Sequence, residues 1–315
     1  MSFIDIKNLK VHYPIRGGFF NRIVDHVYAV DGVDLMIEKG KTYGLVGESG
    51  SGKSTIGKAI IGLEKIKDGT ITYEGKVIEK KRNRKSDYNQ NIQMIFQDSL
   101  SSLNPKKRII DIIAEPLRNF ENLTDKEESR RVSELLEIVG MTDDALYKYP
   151  HEFSGGQRQR IGVARAVAIK PKLIIADEPV SALDLSVQAQ VLNYMKEIQK
   201  QFGLSYLFIS HDLGVVKHMC DHISIMYRGR FVETGEKADI YNNPQHIYTK
   251  RLIAAIPEVN PNHRESNKLR RLAVEKEYRE NELEYYDANG KVYDLQKLTD
   301  THYAALAHKV KGGEK

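Results

Sequence analysis

The run Gly47-Glu48-Ser49-Gly50-Ser51-Gly52-Lys53-Ser54-Thr55 constrains this chain more than any other stretch. It joins a short apolar segment, Tyr43-Gly44-Leu45-Val46, to a helix-compatible run from Ile56 to Leu63. A strand that turns abruptly into a helix through glycines leaves several backbone N–H groups aimed at one point, and the helix N-terminus adds partial positive charge there. This is a phosphate-binding loop. In such a loop Lys53 reaches the β- and γ-phosphates of a nucleotide while the Ser54 hydroxyl ligates Mg2+. The strand before it and the helix after it distinguish it from a glycine-rich turn that merely precedes a lysine.

The 315 residues suffice for about two domains, or one large domain with additions, and the composition is that of an ordinary globular protein. A net charge of +5 permits weak attraction to anionic lipid or nucleic acid but selects neither, and no nucleic-acid partner is expected. Cys220 is the single cysteine, which rules out an intramolecular disulfide and suits a reducing compartment. The first residues carry no basic region followed by an apolar one, so no export signal is expected. No apolar run approaches the roughly eighteen residues needed to span a bilayer, so any membrane role must come through a partner.

Taken in order, Phe3 to Ile37 predicts four short strands with hairpin-type breaks, at Phe3 to Ile6, Leu9 to Tyr13, Val27 to Val30 and Val33 to Ile37. Tyr13 and Tyr28 each offer an aromatic face that either stacks on a nucleotide base or packs within the strands. Gly69 to Tyr73 with Val77-Ile78 predicts a further hairpin, and the charged run from Lys80 to Lys85 is expected to be a solvated loop, with acidic lipid headgroups as the sharper alternative. Ile92 to Phe96 predicts a strand ending in Gln97, followed by a flexible stretch containing Ser99, Ser101, Ser102, Asn104 and Pro105. Thr124 and Glu127 have capping-box spacing, and Val132, Leu135, Leu136 and Val139 fall on one helical face. Helical signals dominate from about residue 98 to 170.

Ser154-Gly155-Gly156-Gln157 opens a helix whose apolar face holds Ile161, Ala164, Val167 and Ala168, making a second anion-binding nest. One chain rarely needs two such nests for one nucleotide. Two copies facing each other would let each nest complete the other's site. Leu173 to Ala176 reads as a buried parallel strand ending in Asp177-Glu178, where α/β sheets place ligands. Adjacent strand residues point in opposite directions, so the two acids take different roles: Asp177 toward Mg2+ through its water shell, Glu178 toward polarising an attacking water. Leu204 to Ile209 predicts another buried strand, ending in His211, which is expected to contact the γ-phosphate. Ile223 to Tyr227 and Arg230 to Val232 read as closing strands.

Gly47 to Ser54, Gln97, Ser154 to Gln157, Asp177 with Glu178, Asp184 and His211 resemble, in order and spacing, the motifs of ABC-type ATPases over roughly residues 3 to 255. The resemblance implies an α/β P-loop NTPase fold with a RecA-like core, an antiparallel β subdomain and a helical subdomain. It also implies a head-to-tail dimer that sandwiches two ATP molecules with Mg2+. By the same resemblance Tyr13 stacks on adenine, Gln97 senses Mg2+ and the attacking water, and Asp184 couples the two sites. Phe153 stands where leucine is commonest in the family, a change without polar consequence.

Gln97 to Pro105 and Asn243 to Leu252, with Ile256-Pro257-Glu258, are similar to the oligopeptide/dipeptide (nickel) importer branch, oligopeptide-permease F type. That branch also resembles glutathione importers. Some of its members bear a cysteine cluster for iron-sulfur near the C-terminal segment, which a chain with only Cys220 cannot build. The expected organisation is an ATPase domain over 1–257, with its helical subdomain at about 98–170, and a C-terminal extension over 258–315. In that extension Lys268 to Leu283 reads as a solvated helix and Asn289-Gly290 as a turn, the whole being expected to pack against a partner ATPase. The implied partners are a paralogous ATPase subunit, two transmembrane permease subunits and an extracytoplasmic substrate-binding protein, which would put the chain peripherally on the cytoplasmic face of the membrane. A soluble ABC ATPase acting on DNA or ribosomes is the alternative; the absence of heptads and of an internal repeat speaks against it.

Overall fold

The structure, a computed structural model, describes residues 3–18, 20–78, 86–98, 102–256 and 264–306. The charged run at 80–85 and the residues 99–101 that follow Gln97 lie outside the described residues, so the expectations placed on them stay at the level of sequence.

The long strands β1 (Ile4–Gly17) and β2 (Arg22–Ile37) pair antiparallel, and β4 (Asp68–Tyr73) and β5 (Lys76–Val77) extend them into a sheet of order β2-β1-β4-β5. The expected four short strands are therefore two long ones. The breaks read in the sequence are bulges: the register slips between Ile6 and Lys10, where Asn8 and Gly32 both adopt positive φ, at 49° and 80°. An inserted residue bends a strand without ending it.

The second sheet is built from β3 (Thr42–Val46), β6 (Ile92–Ile95), β7 (Leu173–Asp177), β8 (Ser205–Ser210), β9 (His222–Tyr227), β10 (Arg230–Glu236), β11 (Gln296–Lys297) and β12 (Tyr303–Ala304). Its order is β11-β12-β10-β9-β3-β8-β7-β6, parallel from β9 to β6 and antiparallel beyond β9. The parallel strands are buried on both faces, which is why β7 and β8 read as unbroken apolar runs. Their alternation still matters. Leu173, Ile175, Leu207 and Ile209 join a core with the antiparallel sheet and α1 (Lys53–Ile60), whereas Ile174, Ala176, Tyr206 and Phe208 face the other core.

That other core holds the helical insert. After α2 (Asp87–Asn91) come α3 (Ile109–Phe120), α4 (Asp125–Ile138) and α5 (Gly155–Val167). Thr124 and Glu127 form the capping box at the start of α4, and Val132, Leu135, Leu136 and Val139 are all buried. The chain then runs through α6 (Leu185–Phe202), α7 (Leu213–Met219), α8 (Lys237–Asn242) and α9 (Ile247–Ala254) to α10 (Arg264–Asn281).

Beyond α9 the C-terminal segment packs on the rest of its own chain: Tyr278, Tyr286 and Val292 are buried in the main core, and β12 pairs with β10. The helix read as solvated is exposed on most of its surface but buries Tyr278, and the scattered tyrosines supply the packing that the charge-rich sequence conceals. The expected turn is present, with Gly290 at φ 72° and Tyr286 bridged to Val292.

Candidate active site

The loop after β3 is held by its surroundings before any ligand arrives. Gly52 sits at φ 107°, and a Cβ there would come within 2.0 Å of the Ala29 carbonyl oxygen, so the position admits glycine alone. Ser51 N–H donates to Glu48 O, and Ser51 O accepts from Gly229 N–H, tying the loop to the β9–β10 turn. Lys53 is buried, its Nζ donating to Gly47 O and Glu48 O at 2.8 Å each and standing 3.4 Å from Ser51 Oγ. Burial lowers its pKa, with Glu178, Asp177 and Glu48 opposing that shift.

A cavity of about 580 Å³ opens above the loop. Gly47 to Gly50 and Gly52 to Thr55 line it from the loop, and Ala29, Gln97, Glu178, His211 and Leu252 line it from other elements. Asp177 does not line it but sits directly behind: its Oδ1 accepts the Ser54 hydroxyl at 2.7 Å, on the α1 side of β7 as the alternation requires. Burial raises the Asp177 pKa, the Ser54 hydrogen bond and the cations Lys58 and Lys53 pulling the other way.

Glu178 turns the opposite way. Its φ of 46° is a left-handed conformation that a non-glycine residue rarely adopts, and its N–H donates to Ile209 O across to β8. Such strain persists only where the surroundings enforce it, and it clusters at functional sites. The result is a carboxylate held at both oxygens: Gln97 Nε2 donates to Oε2 at 2.9 Å, and His211 Nδ1 stands 3.1 Å from Oε1. Three strand ends thus converge on one carboxylate at the mouth of the cavity. Each of these residues is expected from the sequence; the direct contacts of Gln97 and His211 with Glu178 emerge only from the fold.

Tyr13 and Tyr28 lie on opposite faces of the hairpin, because Tyr28 pairs with His12 and Tyr13 with Val27. The Tyr13 hydroxyl lies near Glu64 and near Thr55 at the end of the loop, whereas the Tyr28 ring meets His12 edge-on at 4.6 Å. Neither ring lines the cavity.

Ser154, Gly155, Gly156 and Gln157 lie outside the cavity, as does Asp184. Ser154 and Gln157 form a reciprocal capping box at the start of α5, with Gln157 N–H donating to Ser154 Oγ and Ser154 N–H to Gln157 Oε1. Asp184 caps α6 through Val187 N–H and Ser186 Oγ. The two helix starts abut. A Cβ on Gly156 would come within 2.2 Å of Val187 Cγ1, so packing alone requires this glycine. Ser154, Asp184 and the neighbouring Leu185, 85% exposed, all face outward.

Three contributors to the site were missed in the sequence. Leu252 and Ala29 line the cavity, and the Tyr248 hydroxyl accepts the Glu48 N–H at 3.1 Å. The run containing Tyr248 and Leu252 had pointed only to a family branch; its apolar and aromatic content gave no sign that it reaches the loop.

Residues 30–181 match the family described as ABC transporter, and residues 232–293 match the oligopeptide/dipeptide transporter C-terminal region. The chain is 59% identical over 314 residues to the oligopeptide transport ATP-binding protein OppF of Lactococcus lactis subsp. lactis, covering 99% of this chain and 98% of that protein. It is 50% identical to OppF of Bacillus subtilis, covering 85% and 87% respectively. Among solved structures, cbiO1 from Clostridium perfringens superposes with a TM-score of 0.66 at 24% identity, covering 80% of this chain and 95% of that one. The ATP-binding cassette MJ0796, a dimer in a post-hydrolysis state bound to ADP and Pi, has a TM-score of 0.66 at 24% identity and covers 74% and 98%. The last two likenesses bear on the fold alone.

Proposed function

Because this chain belongs to the ABC transporter family of ATP-binding subunits, and within it to the oligopeptide branch, we propose that it is the ATP-hydrolysing motor of an oligopeptide importer. The observation that carries the reading is the Gln97–Glu178–His211 cluster facing Lys53 and Ser54 across one cavity. Lys53 is already dehydrated and exchanges its loop carbonyls for phosphate oxygens, while the loop amides bind the rest of the anion. Glu178 accepts a hydrogen bond from the attacking water and orients it for in-line displacement at the γ-phosphorus. Gln97 and His211 hold that carboxylate in place, and His211, which lines the same cavity, is assigned to the γ-phosphate.

The donors available suit Mg2+. Ser54 and Asp177 offer a hydroxyl and a carboxylate, hard oxygen ligands of the kind Mg2+ takes one or two at a time, with phosphates and waters completing the shell. Bound there, Mg2+ would neutralise phosphate charge, held by Ser54, by Asp177 through a water, and by the Gln97 amide oxygen as a further donor. Tyr13, adjacent to Thr55, is assigned to the adenine.

Ser154 is exposed and, with Gly155, Gly156 and Gln157, lies outside its own chain's cavity, which favours a head-to-tail dimer in which this nest closes over the γ-phosphate in a partner's cavity. Asp184, beside it, would couple the two sites. The partner is a paralogous ATPase subunit, and the motion passes to two permease subunits served by an extracytoplasmic binding protein. No helix among the described residues is long and apolar enough to cross a membrane, so a peripheral place on the cytoplasmic face follows from the partners proposed. The residue division that goes with this reading is an ATPase domain over 1–257 and an extension over 258–315.

Replacing the carboxylate by an amide tests the assignment. Glu178→Gln is expected to lower ATP turnover by roughly 10² to 10⁴-fold, the range of a lost general base, while leaving ATP affinity within about twofold. Normal turnover in that variant would remove Glu178 from the mechanism.

A further inference from the structure

We propose that Arg251 is a positioning residue for the nucleotide and that the C-terminal segment sets its geometry, an inference that rests on reading the cavity as the nucleotide site. Glu48 lines that cavity and brings a negative charge to a place that must accept a polyphosphate anion. Arg251 Nη1 stands 3.8 Å from Glu48 Oε1 and supplies the opposing charge. What holds the guanidinium there comes from α10. Its Nε donates to Glu275 Oε2 at 3.0 Å, and its plane lies over the Tyr278 ring, 4.5 Å from the centroid. With one edge and one face fixed, the remaining edge is presented to Glu48. The planar fork of arginine suits this division between two carboxylates and a ring; a lysine ammonium does not.

A second path from the same segment reaches the same loop residue. Tyr286 packs against Tyr227 at 5.7 Å between centroids, Tyr227 against Tyr248 at 4.6 Å, and the Tyr248 hydroxyl takes the Glu48 N–H. Tyr248 is fully buried, and Tyr278 and Tyr286 are nearly so. The side chain and the backbone of Glu48 are therefore both constrained through residues that the extension packs against. The conserving element is electrostatic: Arg251 cancels the one acidic group on the loop, and Glu275 keeps Arg251 from swinging into solvent.

Equilibrium binding of AMP-PNP with Mg2+ to the full chain, measured by calorimetry, tests this. At low salt Arg251→Gln is expected to raise Kd about three- to fivefold, the scale of a partly exposed ion pair. The difference should shrink below about twofold at ~0.5 M salt as the charges are screened. Adding Glu48→Gln to Arg251→Gln should restore affinity, because the charge that needed cancelling is gone. Glu275→Ala should weaken binding about twofold in the parent and not at all in the Arg251→Gln background, since it acts through the arginine. Arg251→Lys, the milder change, should fall between parent and Arg251→Gln. Unchanged affinity in a folded Arg251→Gln protein, or a Glu275→Ala effect that persists without Arg251, would overturn the proposal. Failure of the parent chain itself to bind AMP-PNP would instead overturn the nucleotide reading, and this proposal with it.

Discussion

Replacing His302 by alanine should loosen the C-terminal segment by an amount that the structure allows to be worked out. Glu233, fully buried in β10, accepts three hydrogen bonds: Gln245 N–H at 2.8 Å, His246 N–H at 2.9 Å and His302 Nε2 at 2.7 Å. His302 is itself buried, so its bond to the carboxylate is shielded from water. His302→Ala removes that charge-assisted bond, worth about 1.5–3 kcal/mol, and leaves two backbone donors in place, so the larger penalty of a wholly unpaired buried charge does not apply. For a chain of 315 residues a loss of about 2 kcal/mol lowers the melting temperature by roughly 3 °C. His302→Gln, which keeps an N–H within reach, should recover part of the loss. Calorimetric melting gives the magnitude, and limited proteolysis gives the place: cleavage should appear first between residues 282 and 306. A His302→Ala protein that melts within about 1 °C of its parent, with the extension equally resistant to protease, would refute the account of this pair as the clamp on the tail.

Two further outcomes follow from the site. Burial raises the Asp177 pKa, so this group's stabilising contribution is complete below its unfolded value of 3.8 and is lost as pH rises through the raised folded value. At neutral pH the desolvated charge is therefore a cost, and Asp177→Asn should melt higher than the parent, the gap closing below pH 3.8; a lower melting point at pH 7 would contradict this. Gly156→Ala places a methyl 2.2 Å from Val187 Cγ1 and should destabilise by about 1–3 kcal/mol, readable by denaturant titration, as the α5 and α6 helix starts are forced apart.

Much of the site was legible because its chemistry needs particular residues at strand ends, and strand ends are marked by the switch from apolar runs to polar residues. Asp177, Glu178 and His211 each follow such a run, and the opposite facing of Asp177 and Glu178 follows from strand alternation, with the Ser54 contact on one side and the Gln97 and His211 contacts on the other. The left-handed turn at Glu178 was not legible, since a strained backbone is imposed by neighbours such as Ile209 O and leaves no trace in composition. The bulged hairpin was misjudged because one inserted residue at Asn8 looks the same in sequence as a strand end. The packing of the extension on its own chain was not legible for a different reason: its charges dominate the sequence, while a few separated residues, Tyr278, Tyr286, Val292 and His302, do the packing, too far apart to make a periodic signal. Arg251 and Tyr248 escaped notice because their contacts with Glu48 span about two hundred positions of chain.

The pairing of β12 with β10, through Glu233 with Ala304 and Thr234 with Tyr303, has a consequence for how the molecule is born. During synthesis every strand from β1 to β10 leaves the ribosome before β12 does, so the sheet can assemble while one flank of β10 still offers unpaired backbone groups. An open flank of that kind is a template for any extended chain nearby, including another nascent copy. The last described strand of the polypeptide closes it. Ribosomes that stall or messages that end short of residue 304 would thus release a nucleotide-binding domain that is sticky along one side, and the cell's quality control, rather than the transporter, would be the first to meet it.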